Sequence, residues 1–412
     1  MTRPTLTNLV YLGTGEVLTR GLSFVAFAYL GRTLSTGQFG VLGTALAVLM
    51  VGTLVIDFGF GILGSREIAK DGGVTESLTR RIVSLQLTLA IVASLALFGG
   101  TWIVPMDGTL AALLRGFSLS LLGVPFLLNW VFQGRNEMFW FAAPAVLRQA
   151  LFLVLVLILV RGTEGLGILP AAEIGAIAGS GAAFVWAYRR LGFRLRFRPV
   201  WDRTLWATCL PIGLSNLIWA IRMYLPVVVV YSMVGAEPAG LFESAHRLAM
   251  VFLAILGVYF TNLFPAMSAT SHRSPSAFKR LLARGLATAV AGTLALLLIT
   301  WQLAPTMIEL VFGPRYVTPE STWTLIVLTM LVPIAAFRRM GRFALIALDH
   351  QRRELWCSIV GVVSLVVLLA ILPTRHGISG AAWAMVGSES VGAILTWMAL
   401  APLLGTPGAR NE

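Results

Sequence analysis

The sequence predicts an all-α, polytopic membrane protein with about twelve transmembrane helices in two six-helix lobes. Three observations carry this reading. Of 412 residues, 57% are hydrophobic and only 12% are charged, which is far more apolar than a soluble domain. Apolar segments of about 20 residues recur between short polar stretches, the length a helix needs to cross a hydrocarbon core of about 30 Å. No segment alternates polar and apolar residues over about 10 positions, as a strand of an outer-membrane barrel would.

The first lobe, residues 1–190, holds six expected spans: Asn8–Leu30, Phe39–Leu63, Ile82–Val104, Thr109–Phe132, Phe139–Val160 and Gly165–Tyr188. The first carries Gly13, Glu16, Arg20 and Ser23 on one stripe at helical spacing. With charges inside its apolar run and no small-residue cleavage site, it is expected to be retained rather than removed as a signal. The second follows the small-residue turn LGRTLSTGQFG and contains Asp57. The fourth contains Arg115 and Pro125, the fifth Pro144 and Arg148, and the sixth Glu173.

A basic linker, residues 191–204 within RRLGFRLRFRPVWDR, leads to the second lobe, residues 205–412. Its expected spans are Leu205–Met233, Gly240–Met267, Leu281–Leu303, Ser321–Ala347, Leu355–Leu372 and Ile378–Leu403. The seventh span reads SNLIWAIRMYLPVVVV at its centre, with Ser215, Asn216, Trp219 and Arg222 on one stripe and Pro226 one turn further on. The eighth carries Glu243, His246 and Arg247, and the twelfth carries Glu389. In both lobes the opening helix bears a central arginine, then a short turn ending in glycine, then a returning helix. Such matched halves characterise transporters built from parallel repeats.

The formal charge of +13 is distributed by side of the membrane. Arg66, Lys70, Arg80, Arg81, Arg135 and Arg189 through Arg203 fall in one alternating set of loops, as do Arg273, Lys279, Arg280, Arg284, Arg338, Arg339, Arg342, Arg352, Arg353 and the terminal Arg3 and Arg410. The opposite set holds Arg32, Arg161, Arg315 and Arg375. The positive-inside rule then places both termini in the cytoplasm, and the basic linker serves as a topology anchor against anionic membrane lipids rather than as a nucleic-acid site.

Arg20, Arg115, Arg148, Arg222 and Arg247 remain inside spans, where each would cost on the order of 3 kcal/mol at the bilayer centre. They must snorkel, pair with acids, or line a wet cavity. Arg115 lies near enough to the end of its span to snorkel. Glu16 and Arg20 are spaced i, i+4, as are Glu243 and Arg247, whereas Arg222 has no acid three or four residues away on its own helix. A hydrated cavity holding these guanidinium groups suits a phosphate-bearing head group, because guanidinium forks onto phosphate oxygens. Trp219 and Tyr224 offer flat surfaces for sugar rings. Glu16, Asp57 and Glu243 are candidates for coupling to a proton or sodium gradient.

Other chemistries find little support. No GxxxxGK[ST] loop is present, so the chain carries no ATP motor of its own. There is no HExxH or paired CxxC, the four histidines are scattered, and Cys209 and Cys357 show no metal spacing, so neither cofactor nor metal is expected. The first outer loop, GRTLSTGQ, holds no carboxylate, which weakens a glycosyltransferase reading.

The run YLGRTLSTGQFGVLGTALAVLMVGTLVIDFGFGILGSREIAK, with Gly37, Phe39 and Gly40, then Asp57, Gly59 and Gly61, then Arg66, resembles the first helices of polysaccharide repeat-unit exporters. These are the Wzx-like O-antigen flippases of the multidrug/oligosaccharidyl-lipid/polysaccharide (MOP) exporter superfamily. RHGISGAAWAMVGSES, Arg375–Ser390, resembles the Gly-rich start of that family's penultimate or last helix. The resemblance implies a MATE/MurJ-like transporter alternating between inward and outward access in a bacterial inner membrane. Its cargo would be an undecaprenyl-diphosphate-linked oligosaccharide, with polymerase and glycosyltransferases of the same pathway as partners. Arg20 matches the first-helix arginine that contacts diphosphate in the related peptidoglycan-precursor flippases; Arg222 and Arg247 extend that site by depth and spacing. The chain lacks room for the two extra helices of those relatives. A cation-coupled drug exporter of the same superfamily and, further off, a membrane polymerase or glycosyltransferase stand as alternatives.

Overall fold

The computed structural model describes residues 6–195, 202–271 and 274–405, and among them all regular structure is helical. Arg3, Arg196, Arg198, Arg273 and Arg410, part of the basic linker included, lie outside the described residues. The chain divides into two compact units, Met1–Tyr224 and Leu225–Glu412.

In the first unit, α1 (Leu6–Thr33) packs on α7 (Met138–Leu159), which also packs on α8 (Leu169–Arg190). A Ser35/Gln38 capping box starts α2 (Thr36–Asp57), satisfying donors that a helix N-terminus otherwise leaves bare. The expected span Phe39–Leu63 is not one helix. Its backbone turns left-handed at Phe58 (φ 41°) and Gly59 (φ 82°), and a new helix, α3 (Phe60–Lys70), begins. Asp57 sets this break, because its carboxylate accepts hydrogen bonds from the Gly59 and Gly61 N–H groups at 3.3 and 3.2 Å and so replaces helical acceptors for the first donors of α3.

After α4 (Thr75–Ile103) and α5 (Gly108–Ser120), the expected span Thr109–Phe132 also breaks. Pro125 lies in a 3₁₀ stretch, Leu121–Phe126, before the short α6 (Asn129–Gly134); lacking an N–H, proline cannot continue the α-helical ladder. The end of the unit where α3, α4, α6 and α8 meet α9 (Arg203–Val234) is an aromatic core that includes Phe60, Trp130, Phe132, Phe184 and Tyr188. Trp206 of α9 packs on Phe58 and Phe60 at ring-centroid distances of 5.1 and 5.6 Å. Asp202 caps α9 through the Thr204 and Leu205 N–H groups, and its other oxygen takes the Arg81 guanidinium, with Nε at 2.6 Å.

The second unit is organised around α12 (Pro319–Ala347), which packs on α10 (Ala236–Ser271), α11 (Pro275–Phe312) and α13 (Gln351–Gly405). The 55 residues of α13 would reach about 80 Å if straight, far more than one crossing needs. The helix breaks at His376 and Gly377, where Gly377 has φ 56° and ψ −139°. Glu320 from α12 accepts the Ile378 N–H at 3.3 Å, capping the second half. A Cβ on Gly377 would meet that same carboxylate at 2.6 Å, and one on Gly380 would meet the Leu372 carbonyl oxygen at 2.3 Å. The expected spans Leu355–Leu372 and Ile378–Leu403 meet at this turn.

Ten helical stretches among the described residues are long and apolar enough to cross a membrane. Bare apolar side chains such as Ile103 (82% exposed) and Trp102 (71%) suit lipid, and the protein is a multi-pass membrane protein.

Candidate functional site

Charge inside an apolar bundle is the chemistry this chain offers, and the contacts of each arginine define what it can do. Among the described residues no group of three or more His, Cys, Asp and Glu side chains could hold a metal ion.

On α1 the Arg20 guanidinium meets Glu16 Oε1 at 2.6 Å through both Nη2 and Nε, and the two side chains are 64% and 59% exposed. Helical spacing alone makes this pair, since residues four apart share a face. On α9, Arg222 is partly buried and engaged by neighbours. Trp219 and Tyr224 touch each other edge to face at 6.1 Å, so the two aromatic candidates form one surface. Ser215 donates to the Pro211 carbonyl at 2.9 Å.

On α10, Arg247 pairs with Glu243 at 2.6 Å, the acid being buried. His246, also buried, stacks on Phe242 at 5.5 Å. Arg148 of α7 pairs with Glu173 of α8, tying those helices together. Among the described residues Arg115 meets no carboxylate; its Nε donates to Thr101 Oγ1 at 2.8 Å and its guanidinium lies over the Trp102 ring at 4.0 Å. Asp57 meets none of these arginines; besides the two backbone donors it lies 3.5 Å from the Gln86 amide nitrogen.

The structure adds a charge group that reading by loops missed. Arg338, assigned above to a basic loop, is buried within α12 and donates to Glu389 at 2.8 Å and to Ser358 at 3.2 Å. Ser358 in turn donates to Glu354 at 2.7 Å, and Glu354 meets Arg342 at 3.1 Å. Arg339 donates to the Leu253 carbonyl at 3.0 Å. The signal was available, because Arg338 and Arg339 fall inside the expected span Ser321–Ala347.

These contacts sort the arginines. A buried pair such as Arg338–Glu389 is static, because removing either partner strands a charge. An exposed pair such as Glu16–Arg20 is held weakly and can be exchanged for another anion.

A helical membrane bundle carrying paired intramembrane charges is an architecture common among transporters, and known proteins share it. The fold matches a multidrug resistance MATE family transporter of the MOP superfamily in an inward-facing conformation (TM-score 0.73, 15% identity, covering 97% of this chain and 100% of that one). It also matches the lipid II flippase MurJ in an inward closed conformation (TM-score 0.69, 14% identity, 96% and 88%). Residues 5–271 match the polysaccharide biosynthesis protein family, and the chain belongs to that family. It is 22% identical over 377 residues to the "Putative O-antigen transporter" of Escherichia coli (strain K12), covering 89% of each chain.

Proposed function

We propose that the protein flips an undecaprenyl-diphosphate-linked oligosaccharide repeat unit across the bacterial inner membrane by alternating access, delivering it to the enzymes that build a surface polysaccharide. The observation that carries this is the exposed Glu16–Arg20 pair on α1. Lipid exposure of that guanidinium would cost on the order of 3 kcal/mol, so the charged face of α1 lines a polar route. There the diphosphate displaces Glu16 from Arg20 and gains the forked hydrogen bonds that guanidinium gives to phosphate. Arg222 extends the anionic route on α9, and Trp219 with Tyr224 offers the sugar a surface. Arg148 and Arg247, each paired with a buried acid, have no share in it.

The membrane count belongs to the same reading. Taking α1 as a crossing despite its charges, and the broken α13 as two, gives twelve, with the basic ends and both termini in the cytoplasm. The likeness of family and fold supports glycan-lipid transport. A drug-cation exporter would need carboxylates to spare. Instead Glu16, Glu173, Glu243 and Glu389 each already meet a guanidinium, and Asp57 is engaged by the Gly59 and Gly61 N–H groups.

Reconstitution in liposomes tests the proposal directly. A labelled lipid-linked oligosaccharide is expected to become accessible at the far leaflet only with the protein present, and Arg20→Ala or Arg222→Ala is expected to abolish that while insertion stays normal. Wild-type transport in both variants, or efflux of cationic dyes in place of the glycolipid, would sink it.

A further inference from the structure

Arg115 stands apart from the paired arginines. It lies within the apolar stretch Gly108–Gly134, two turns from the start of α5, so its Cα is about 10 Å along the helix from that end. Its Nε is committed to Thr101 Oγ1, its guanidinium face to the Trp102 ring, and among the described residues no carboxylate joins them. Its terminal nitrogens are not among the buried atoms left unsatisfied, and no acceptor among the described residues meets them. They are donors at the surface.

The surroundings say what kind of molecule reaches them. Trp102, Ile103 and Val104 are exposed by 71%, 82% and 55%, with Leu95 (66%) and Phe98 (45%) lower on the same helix. This collar is too apolar to face water and suits acyl chains, while tryptophan settles at the level of lipid head groups. Thr101 and Arg81 sit toward opposite ends of α4, about 30 Å apart along its axis, so the collar lies in the leaflet opposite the basic end. A guanidinium lying with its face over a ring keeps its in-plane N–H donors outward, in the fork that matches two oxygens of a phosphate.

We propose that Thr101, Trp102 and Arg115 form a head-group site for an anionic glycerophospholipid in that leaflet. One uncompensated guanidinium matches the single negative charge of a phosphodiester. A diphosphate, with more charge, would need further cations beside Arg115. The site is therefore occupied by a resident lipid and not by the transported one, and it stands independently of the transport reading.

Native mass spectrometry of the purified full chain, titrated with phosphatidylglycerol, tests this. Arg115→Ala is expected to lower occupancy of one tightly held lipid about tenfold, as loss of a charge-assisted fork would. Arg115→Lys, which keeps charge without the planar fork, should recover part of it. Trp102→Leu, changing a largely exposed side chain, provides a second variant that leaves the fold intact and should also weaken retention. Phosphatidylethanolamine is expected to compete poorly, and inorganic phosphate not at all at millimolar concentration. Unchanged occupancy in both Arg115→Ala and Trp102→Leu would overturn the site. An Arg115-dependent preference for undecaprenyl diphosphate, or for free phosphate, would overturn the assignment to a resident phospholipid.

Discussion

Arg338 of α12 and Glu389 of the second half of α13 form a 2.8 Å ion pair in which both side chains are almost wholly buried, at 6% and 10% exposure. The guanidinium fits because Gly392 leaves it space; a Cβ there would lie 2.7 Å from its Cζ. Through Ser358 and Glu354 the same charge group reaches Arg342, joining α12 to both halves of α13.

Truncating one member of a buried pair strands its partner, and Arg338→Ala or Glu389→Ala is expected to destabilise the protein by about 3–5 kcal/mol. Replacing both with leucine should recover most of that, because packed apolar side chains need no compensation. Thermal unfolding in detergent measures all three variants. A double variant no better than the singles would count against a purely structural pair.

Arg20 should behave in the opposite manner. Its pair with Glu16 is exposed and contributes roughly 0–1 kcal/mol in water, so Arg20→Ala is expected to unfold within a degree or two of wild type while transport falls at least about tenfold, some 1.4 kcal/mol of lost interaction. Glu16→Gln, which releases Arg20 without removing it, should keep transport. Equal losses in stability and transport for Arg20→Ala would place it with Arg338 as a packing residue.

Gly377 holds φ 56° with Glu320 beside it. Gly377→Ala is expected to cost about 1–3 kcal/mol from the backbone alone, with more from the carboxylate, which must give way. Glu320→Ala should cost about 1 kcal/mol as a lost helix cap. In the Gly377→Ala variant the cap is already disturbed, so the double variant should be less destabilised than the two single effects added together.

The fold was readable because span length is set by bilayer thickness and every apolar run declares it. Pairs on one helix were readable too: Glu16–Arg20 and Glu243–Arg247 follow from i, i+4 spacing. The turn at Gly377 showed in RHGISG, since a glycine cluster between apolar runs marks a backbone that side chains would obstruct. The break at Asp57 did not, because Asp57, Phe58 and Gly59 sit within one apolar run and it takes the Gly59 and Gly61 hydrogen bonds to reveal the cap. Arg338–Glu389 was equally hidden. Its partners come from different helices, and Arg338, Arg339 and Arg342 clustered at the end of an apolar run read as a basic loop rather than as a buried charge.

The linker end supplies a pH test outside the membrane spans. Burial opposes ionisation of Asp202, but the Arg81 hydrogen bond, the Leu205 and Thr204 N–H groups and the Arg81 charge together outweigh it and hold its carboxyl below the ordinary value. A carboxyl depressed in the folded state binds fewer protons there than when unfolded, so its stabilisation is complete above the unfolded value, about pH 4, and is lost as pH falls through the lower folded value. Asp202→Asn cannot titrate. The gap in melting temperature between wild type and Asp202→Asn is therefore expected to be constant from pH 8 to about pH 5 and to narrow steadily below about pH 4. Arg81→Ala should shrink that gap at neutral pH, because the remaining cap contacts do not need the full charge. A gap that widened in acid would reverse the sign of this linkage and show that Asp202 is held protonated in the folded protein.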